Sequence, residues 1–283
     1  MGATTEPRVL LEEIAFPESP RWHDGRIWFS DWLAHQVIAV DESEEAEVIT
    51  EVDAFPFSID WLPDGSLVVT AGRELLRMDA GGSLAPYADL SGLTEFGLNE
   101  IVVDGRGHTY VNGAGFDLMG GGEPAPGLVA LVRPDGTSEV VDRGIAFPNG
   151  MAISPDGGTL IVADSYGKEL VGFDIRDDGS LSNRRTWADL GDGVPDGICL
   201  DAEGAVWYAD VPNRRCVRVA EGGEILEMVE HDRGCFASML GGHDGRTLFL
   251  MAQEWNGPEG IGKGPRTGQV LTVDAPAPHA GRP

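Results

Sequence analysis

The chain has 283 residues, a length at which one large all-β domain and two ordinary domains are both common. Its formal net charge is -27, with 47 acidic residues against 20 Lys and Arg. Such a balance disfavours nucleic acid and anionic membranes as partners, because both attract basic surfaces. No stretch approaches the roughly 18 apolar residues of a membrane span, and the N-terminus lacks a basic start and an apolar signal core. We therefore expect a soluble, cytoplasmic protein.

A glycine turn followed by an apolar strand recurs along the chain. The turn glycines are spaced by about 40 to 50 residues, which is the period of a four-stranded propeller blade. Six copies predict six blades. In chain order they are HDGRIWFSD (23–31), PDGSLVVTA (63–71), DGRGHTYVNG (104–113), DGGTLIVAD (156–164), AEGAVWYAD (202–210) and HDGRTLFLMA (243–252).

A second apolar strand follows each copy, in the same number and phase. Two independent patterns that stay in step are unlikely to arise by chance, so each blade is predicted to contain at least these two strands in succession. The second set reads VIAVD (37–41), LLRMDAGG (75–82), LVALVRPDG (128–136), LVGFDIRDDG (170–179), CVRVAEGG (216–223) and VLTVD (270–274).

The last copy lacks the outer strand that follows each of the others. The segment RVLLEE at 8–13 is predicted to supply it, because completing the last blade with the other terminus hides two exposed sheet edges. The prediction is an all-β, six-bladed β-propeller that forms a single domain over residues 1–283. Repeats occupy about 8–275, and 276–283 is expected to be a flexible tail. An open β-sandwich would leave the N-terminal strand and the sixfold count unexplained.

A related short segment precedes the first strand of each blade. The copies read AFPES (15–19), AFPFS (54–58), FGLNE (96–100), AFPNG (146–150), GVPDG (193–197) and GCFAS (234–238). Because every innermost strand of a propeller starts at the same end of the central channel, the equivalent side chains are predicted to converge there. Those side chains are Glu18, Phe57, Asn99, Asn149, Asp196 and Ala237.

Four of these six positions carry oxygen donors, and Glu18 and Asp196 are carboxylates. A buried carboxylate requires a partner or a metal ion, so the pattern predicts a divalent cation held by Glu18, Asn149, Asp196 and Asn99. Ligation by oxygen alone favours Ca²⁺, or Mg²⁺ or Mn²⁺, over Zn²⁺, which stays an alternative. The competing interpretation is that Asn149-Gly150 and Asp196-Gly197 are ordinary turn dipeptides.

Three motifs resemble the family of senescence marker protein 30, gluconolactonase and luciferin-regenerating enzyme: FPESPRW (16–22), FPNGMAISPDG (147–157) and VPDGICLD (194–201). The resemblance implies that Glu18, Asn149 and Asp196 bind a catalytic divalent metal. It implies that Asn99 contacts substrate or completes the metal shell. The implied activity is a metal-dependent lactonase or related ester hydrolase, acting on a small molecule, with no protein partner indicated.

Two departures concern the substrate. The sugar-lactone hydrolases of that family carry an Arg two residues before this Asn and Asp-Gly after it, whereas this chain has Gly97 and Glu100-Ile101. A cationic donor for sugar hydroxyls is therefore missing at its expected place. We expect a less polar lactone or ester.

The metal is expected to polarise the substrate carbonyl for attack by water. Asp196 is the first candidate for the base that takes the proton of that water, and Glu100 is the second. The same Lewis acid would also serve an isomerase, a cyclase or a lyase, and a propeller that only binds a ligand or partner is a further alternative.

Substrate contacts are predicted from loops and from the axial ring. Two long insertions, 113–127 and 253–268, interrupt the repeat between the second and third strands of their blades, and binding residues concentrate on such loops. The predicted substrate-binding residues are Asn99, Phe57, Phe116, Trp255 and His35.

Overall fold

The computed structural model describes residues 6–41 and 44–281, apart from the side chain of Pro258. These residues form six four-stranded antiparallel sheets and a short 3-10 helix at Pro258–Gly260. In the described part of the chain, no helix is long and apolar enough to cross a membrane.

Each sheet is one blade, numbered from the innermost strand outward. Blade 1 contains β2 (Pro17–His23), β3 (Arg26–Asp31), β4 (Gln36–Val40) and β5 (Ala46–Glu51); blade 2 contains β6 (Ile59–Trp61), β7 (Leu67–Ala71), β8 (Glu74–Met78) and β9 (Leu84–Asp89); blade 3 contains β10 (Ile101–Val103), β11 (Thr109–Gly113), β12 (Gly127–Val132) and β13 (Ser138–Ile145).

The second half of the chain repeats this order. Blade 4 contains β14 (Pro148–Ile153), β15 (Thr159–Asp164), β16 (Glu169–Ile175) and β17 (Leu181–Asp189); blade 5 contains β18 (Pro195–Leu200), β19 (Val206–Asp210), β20 (Arg215–Val219) and β21 (Ile225–Glu230); blade 6 contains β22 (Gly234–Gly241), β23 (Thr247–Gln253), β24 (Gly268–Asp274) and β1 (Arg8–Ile14).

The blades form a closed ring around an axis. The innermost strands touch their neighbours in turn from β2 through β6, β10, β14 and β18 to β22, and β22 touches β2. The fold is therefore the six-bladed β-propeller that the repeats predict.

Strand β1 closes the ring as predicted. It pairs antiparallel with β24, with Arg8 opposite Thr272 and Leu11 opposite Val270. Ile14, at the end of β1, is 4% exposed and belongs to the largest buried apolar cluster. The N-terminal strand thus covers the free edge of β24 and adds to the core.

The core lies mainly between adjacent blades. One cluster joins Trp28 and Val37 of blade 1 to Ile59 and Val69 of blade 2, and the clusters around the ring follow the same arrangement. Strands covered by a blade on both faces read as continuous apolar runs rather than alternating ones. This explains why the strand segments in the repeats are so uniformly apolar.

The segment after β24 is held by hydrogen bonds up to residue 280. Pro278 accepts a hydrogen bond from the backbone N–H of Ala202 at 2.8 Å, and the N–H groups of His279 and Ala280 donate to Gly245 and Leu200 at 2.9 and 3.1 Å. The sequence predicts a flexible tail at 276–283, whereas the backbone of 278–280 is hydrogen-bonded to blades 5 and 6. A composition rich in Pro and Ala does not reveal such contacts. Residues 282 and 283 lie outside the described part.

Closure of the ring by β1 predicts a specific stability difference. Ile14→Ala removes buried methyl groups and is expected to lower the free energy of unfolding by about 2 to 4 kcal/mol. Val9→Ala, on the same strand but 44% exposed, is the matched control and is expected to cost less than about 1 kcal/mol. Urea unfolding monitored by tryptophan fluorescence measures both. Equal losses for the two variants would show that β1 does not contribute to the core.

Candidate functional site

A cavity of about 590 Å³ opens at one mouth of the central channel. The side chains of Glu18, Asn99, Asn149 and Asp196 all line it. Glu18 is on β2, Asn149 on β14 and Asp196 on β18, while Asn99 lies in the segment before β10. The structure thus brings together the four oxygen donors that the repeat alignment predicts.

Irregular strand pairing occurs beside three of these donors. The pairing register shifts between Glu18 and Arg21 in β2, between Pro148 and Met151 in β14, and between Pro195 and Ile198 in β18. Bulges of this kind change the direction of a side chain and are frequent beside active sites. The shared position of the shift explains how donors from different blades reach one cavity.

Glycine follows Asn149 and Asp196 because the innermost strands approach closely. A Cβ atom on Gly150 would lie 2.5 Å from the carbonyl oxygen of Asp196, and one on Gly197 would lie 2.4 Å from the Cβ of Ala237. Both glycines are inside strands β14 and β18 rather than in turns. The glycine of each Asn-Gly or Asp-Gly pair therefore allows neighbouring innermost strands to approach closely at the axis.

Aspartates at the ends of second strands hold the backbone that leads to two donors. Asp31 accepts hydrogen bonds from the N–H groups of Ala15 and Phe16 at 3.0 and 2.8 Å. Asp164 accepts from Ala146 and Phe147 at 2.8 and 2.9 Å. The equivalent Asp210 instead binds Asn213 and Arg215. Phe16 and Phe147 lie two residues before Glu18 and Asn149. By holding their backbone, Asp31 and Asp164 help to position the two donors.

Direct hydrogen bonds connect the floor of the cavity. Asn99 Nδ2 donates to Asn149 Oδ1 at 3.0 Å, and Asn149 Nδ2 donates to Ser165 Oγ at 3.4 Å. Ser165 Oγ in turn donates to the carbonyl of Pro195 at 2.6 Å, next to Asp196. The backbone N–H of Ser19 donates to Glu18 Oε2 at 2.8 Å. The donors are held by neighbours on several blades.

The two carboxylates on the floor are electrostatically strained. Burial raises the pKa of Glu18 well above its usual range, and the charges of Asp196 and Glu100 raise it further. Burial likewise raises the pKa of Asp196, with the charge of Glu100 as the next cause, while a hydrogen bond with Asn149 opposes the rise. Within the described residues neither carboxylate forms a salt bridge, since Arg21 pairs with Asp60 and Glu100 instead.

Glu100, the second candidate base, is placed beneath the floor and does not line the cavity. Its carboxylate lies 3.6 Å from the Arg21 guanidinium and accepts a hydrogen bond from Ser58 Oγ at 3.2 Å. Burial raises its pKa, and the Arg21 charge opposes the rise. Ser58 Oγ also donates to the carbonyl of Asn99 at 2.5 Å. This position fits a supporting role for Glu100 better than proton transfer with a substrate.

The predicted substrate-binding residues divide into two groups. Phe116 and Trp255, from the two long insertions, line the cavity beside Asn99. Phe57 does not, because its side chain is fully buried in the core between blades 1 and 2. His35 does not line the cavity either, and its Nδ1 lies 3.2 Å from the carbonyl of Val52.

Further aromatic side chains that the sequence reasoning missed line the walls. Phe16, Phe55 and Phe147 occupy one repeat position, the Phe of the AFP segments, and this recurrence is the signal that would have found them. The remaining aromatic wall residues carry no such repeat signal: they are Trp32, Phe96, Tyr166 and Phe236.

The donor set fits a hard divalent cation. Two carboxylates supply its charge and two amide oxygens supply neutral ligands, a combination that Ca²⁺, Mg²⁺ and Mn²⁺ accept. Within 6–41 and 44–281, no three His, Cys, Asp or Glu side chains are grouped so as to hold a metal. The amides are thus essential to the fit.

Fold and cavity together define a six-bladed β-propeller with an open cavity on its axis. Residues 16–254 match the model of the SMP-30/Gluconolactonase/LRE-like region, and the chain belongs to this family. It is 26% identical to the 6-deoxy-6-sulfogluconolactonase of Pseudomonas putida, over 97% of this chain and 96% of that protein. It is 22% identical to a pentonolactonase of Haloferax volcanii, over 99% and 97%.

The fold also matches a solved structure of a luciferin-regenerating enzyme. The TM-score is 0.81 at 20% identity, and the match covers 96% of this chain and 97% of that one. At this identity the likeness establishes the common propeller architecture.

The buried carboxylates predict opposite effects of one substitution on stability and on metal affinity. Glu18→Gln removes one of two like charges from the floor, so the chelator-treated protein is expected to gain about 1 kcal/mol or more in stability. Calcium affinity is expected to fall at least about tenfold, because a charged ligand is lost. Thermal unfolding in EDTA and calorimetric titration with Ca²⁺ measure the two effects. Asp24→Asn, an exposed change on the turn after β2, should alter neither value.

Proposed function

We propose that this protein hydrolyses a lactone in the axial cavity, with a divalent cation held by Glu18, Asn149 and Asp196 and completed by Asn99. The observation that carries the proposal is the meeting, on one cavity floor, of two amides and two carboxylates that form no salt bridge among the described residues. The names of the two curated relatives, both lactonases matched over nearly their whole length, support lactone hydrolysis. Calcium is our first choice of metal on ligand chemistry.

A bound divalent cation would supply Lewis acid polarisation of the ester carbonyl. The chain's own residues orient the reactants. Asn99 lines the cavity beside Asn149 and is positioned to contact a substrate oxygen. The aromatic walls limit the access of bulk water, which strengthens polar interactions on the floor.

Asp196 is the group we assign to proton transfer. Its carboxylate lines the cavity and accepts the proton of the water that attacks the carbonyl carbon. The bond between that carbon and the ring oxygen then breaks, and the proton passes to the departing oxygen. The product is the open hydroxy acid, and Asp196 returns to its starting state.

Two alternatives use the same cavity. An isomerase, cyclase or lyase would polarise a carbonyl without consuming water, and a binding propeller would convert nothing. Incubation in H₂¹⁸O separates these outcomes, because only hydrolysis places one ¹⁸O atom in the product carboxylate.

The free, buried state of Cys199, Cys216 and Cys235 supports the cytoplasm as the compartment that we propose. The acidic balance of the chain supports a small molecule, rather than nucleic acid or a membrane, as its ligand.

The proposal predicts metal-dependent turnover that requires Asp196. Chelator-treated protein is assayed against a panel of lactones and aryl esters, with Ca²⁺, Mg²⁺, Mn²⁺ and Zn²⁺ restored one at a time. Asp196→Asn is expected to lower kcat/KM by at least about 100-fold. Asp192→Asn, a change at an exposed carboxylate nearby in sequence, is the control and should stay within about threefold of the parent.

Two results would contradict this assignment. Turnover that persists undiminished after chelation would remove the metal from the proposal. Asp196→Asn with parental kcat/KM and parental calcium affinity would remove Asp196 from the site.

A further inference from the structure

The walls of the axial cavity are apolar and aromatic. Nine of the residues that line it are aromatic. Among the described residues, no Lys, Arg or His lines the cavity. The polar side chains of the floor are those of Glu18, Asn99, Asn149, Ser165 and Asp196, and Asp117 lies on the insertion 113–127. Apart from Asp117, a ligand in this cavity would therefore meet polar side chains at one end and apolar groups and aromatic rings elsewhere.

The aromatic rings form two groups. The first connects Phe16 to Trp32 at 5.2 Å and to Phe236 at 4.9 Å between ring centroids, and Phe236 to Trp255 at 5.5 Å. These residues come from blades 1 and 6. Each ring is held by another ring, so this wall is preformed.

The second group lies on blades 3 and 4. Phe147 stacks on Tyr166 at 4.7 Å, and Phe116 lies 5.9 Å from Phe147. In a ring of six, blade 4 is opposite blade 1 and blade 3 is opposite blade 6. The two groups therefore face each other across the axis, on either side of the carboxylate floor.

Basic residues occur beside the cavity but not within it. Lys263 and Arg266 line a separate pocket formed largely by the insertion 253–268, which shares Phe16, Trp255 and Ile261 with the cavity. An anionic substrate group would have to leave the aromatic walls to reach them. Inside the cavity it would face the carboxylate of Asp117, because the proposed cation would balance the charges of Glu18 and Asp196.

We infer that the substrate is a neutral lactone that carries an apolar aryl or medium-length alkyl group, rather than a sugar-acid lactone. This inference rests on the proposed function for the reacting end of the molecule. The ester group lies at the floor by Asn99, Asn149 and Asp196. The apolar group lies between the two aromatic walls, in a cavity of about 590 Å³, a volume typical of sites for molecules of this size.

The selectivity follows from desolvation. A sugar-acid lactone would bring several hydroxyls against rings that cannot replace their hydrogen bonds to water, and each hydroxyl left without a partner weakens binding. An alkyl or aryl group gains free energy from the same contact, in proportion to the apolar area removed from water. The walls therefore select against polyols and in favour of apolar substituents.

A kinetic panel tests the inference on the full chain with calcium present. δ-Decalactone and dihydrocoumarin are expected to show kcat/KM at least about 100-fold above glucono-δ-lactone and the anionic glucarolactone. If either sugar lactone is hydrolysed as efficiently as the apolar lactones, the substrate class is wrong while lactone hydrolysis stands.

Wall variants test the cause of the preference. Tyr166 is 51% exposed, so Tyr166→Ala is expected to fold, and it should raise KM for δ-decalactone several-fold with a smaller change in kcat. Tyr87 lines a different groove, which shares no residue with this cavity. Tyr87→Ala is therefore the matched control, and its KM is expected to equal that of the parent. Equal KM values for both variants would overturn the role of the wall.

Gly97 allows the converse test. A Cβ atom there would lie 3.7 Å from the carbonyl oxygen of Gly72, an ordinary contact, and Gly97 lines the cavity. Gly97→Arg adds a cation and is expected to reduce the preference for δ-decalactone over glucarolactone at least tenfold. Gly97→Gln has similar reach without charge and should reduce it less. The same preference in parent and both variants would contradict the inference.

Binding separates failure of this inference from failure of the proposed function. If no lactone is hydrolysed, ligand preference can still be measured by tryptophan fluorescence, because Trp32 and Trp255 line the cavity. The two ligands to compare are a δ-lactam with a pentyl substituent and gluconolactam. Tighter binding of the apolar lactam would support the inference without hydrolysis. Equal binding, tighter binding of gluconolactam, or no binding of either would overturn it.

Discussion

The enclosure of Glu18 and Asp196 in one space is the constraint on which the site depends. Two like charges with little access to water repel each other, and each raises the cost of ionising the other. Neither has a salt bridge among the described residues. The bulges in β2 and β18, and the close strand contacts at Gly150 and Gly197, fix the backbone that carries the two side chains.

The position of Arg21 shows how the channel distributes its charge. Its guanidinium lies one layer below the floor, where it approaches Glu100 at 3.6 Å and Asp60 at 3.9 Å and donates to the carbonyl of Ile101 at 2.6 Å. The cation therefore balances the lower carboxylates and lowers the pKa of Glu18 only as a minor effect. Glu18 and Asp196 form no salt bridge among the described residues, and for this reason we propose the metal at their level rather than at the level of Glu100.

Repeat register was enough to predict the blades, the closing strand and the convergence of Glu18, Asn99, Asn149 and Asp196 on one cavity. Each depends on a short pattern that recurs at a fixed place, such as the Glu18 position of AFPES, so one alignment locates them all. The same alignment was wrong to bring Phe57 to the cavity. A large apolar side chain at that position gains more by burial between blades 1 and 2, whereas Phe55 of the same segment lines the cavity.

Other features could not be predicted because they depend on contacts between distant segments. The place of Glu100 follows from Arg21 and Ser58, which are 79 and 42 residues away in sequence. The hydrogen bonds of 278–280 depend on backbone groups of blades 5 and 6. Neither set of contacts leaves a pattern in the sequence of its own segment, so neither can be predicted from the sequence.

In the function that we propose, the strands would carry the residues of the reaction and the loops would contribute to the choice of substrate. Three of the donors belong to innermost strands that are packed on both sides, so their positions are fixed by the whole ring. Much of the wall, including Phe116 and Trp255, comes from the insertions 113–127 and 253–268 and depends on local ring contacts. A change in these loops alters which molecules fit without moving Glu18, Asn149 or Asp196. In a fold of this kind, the floor can therefore keep one reaction while the walls come to select a different substrate.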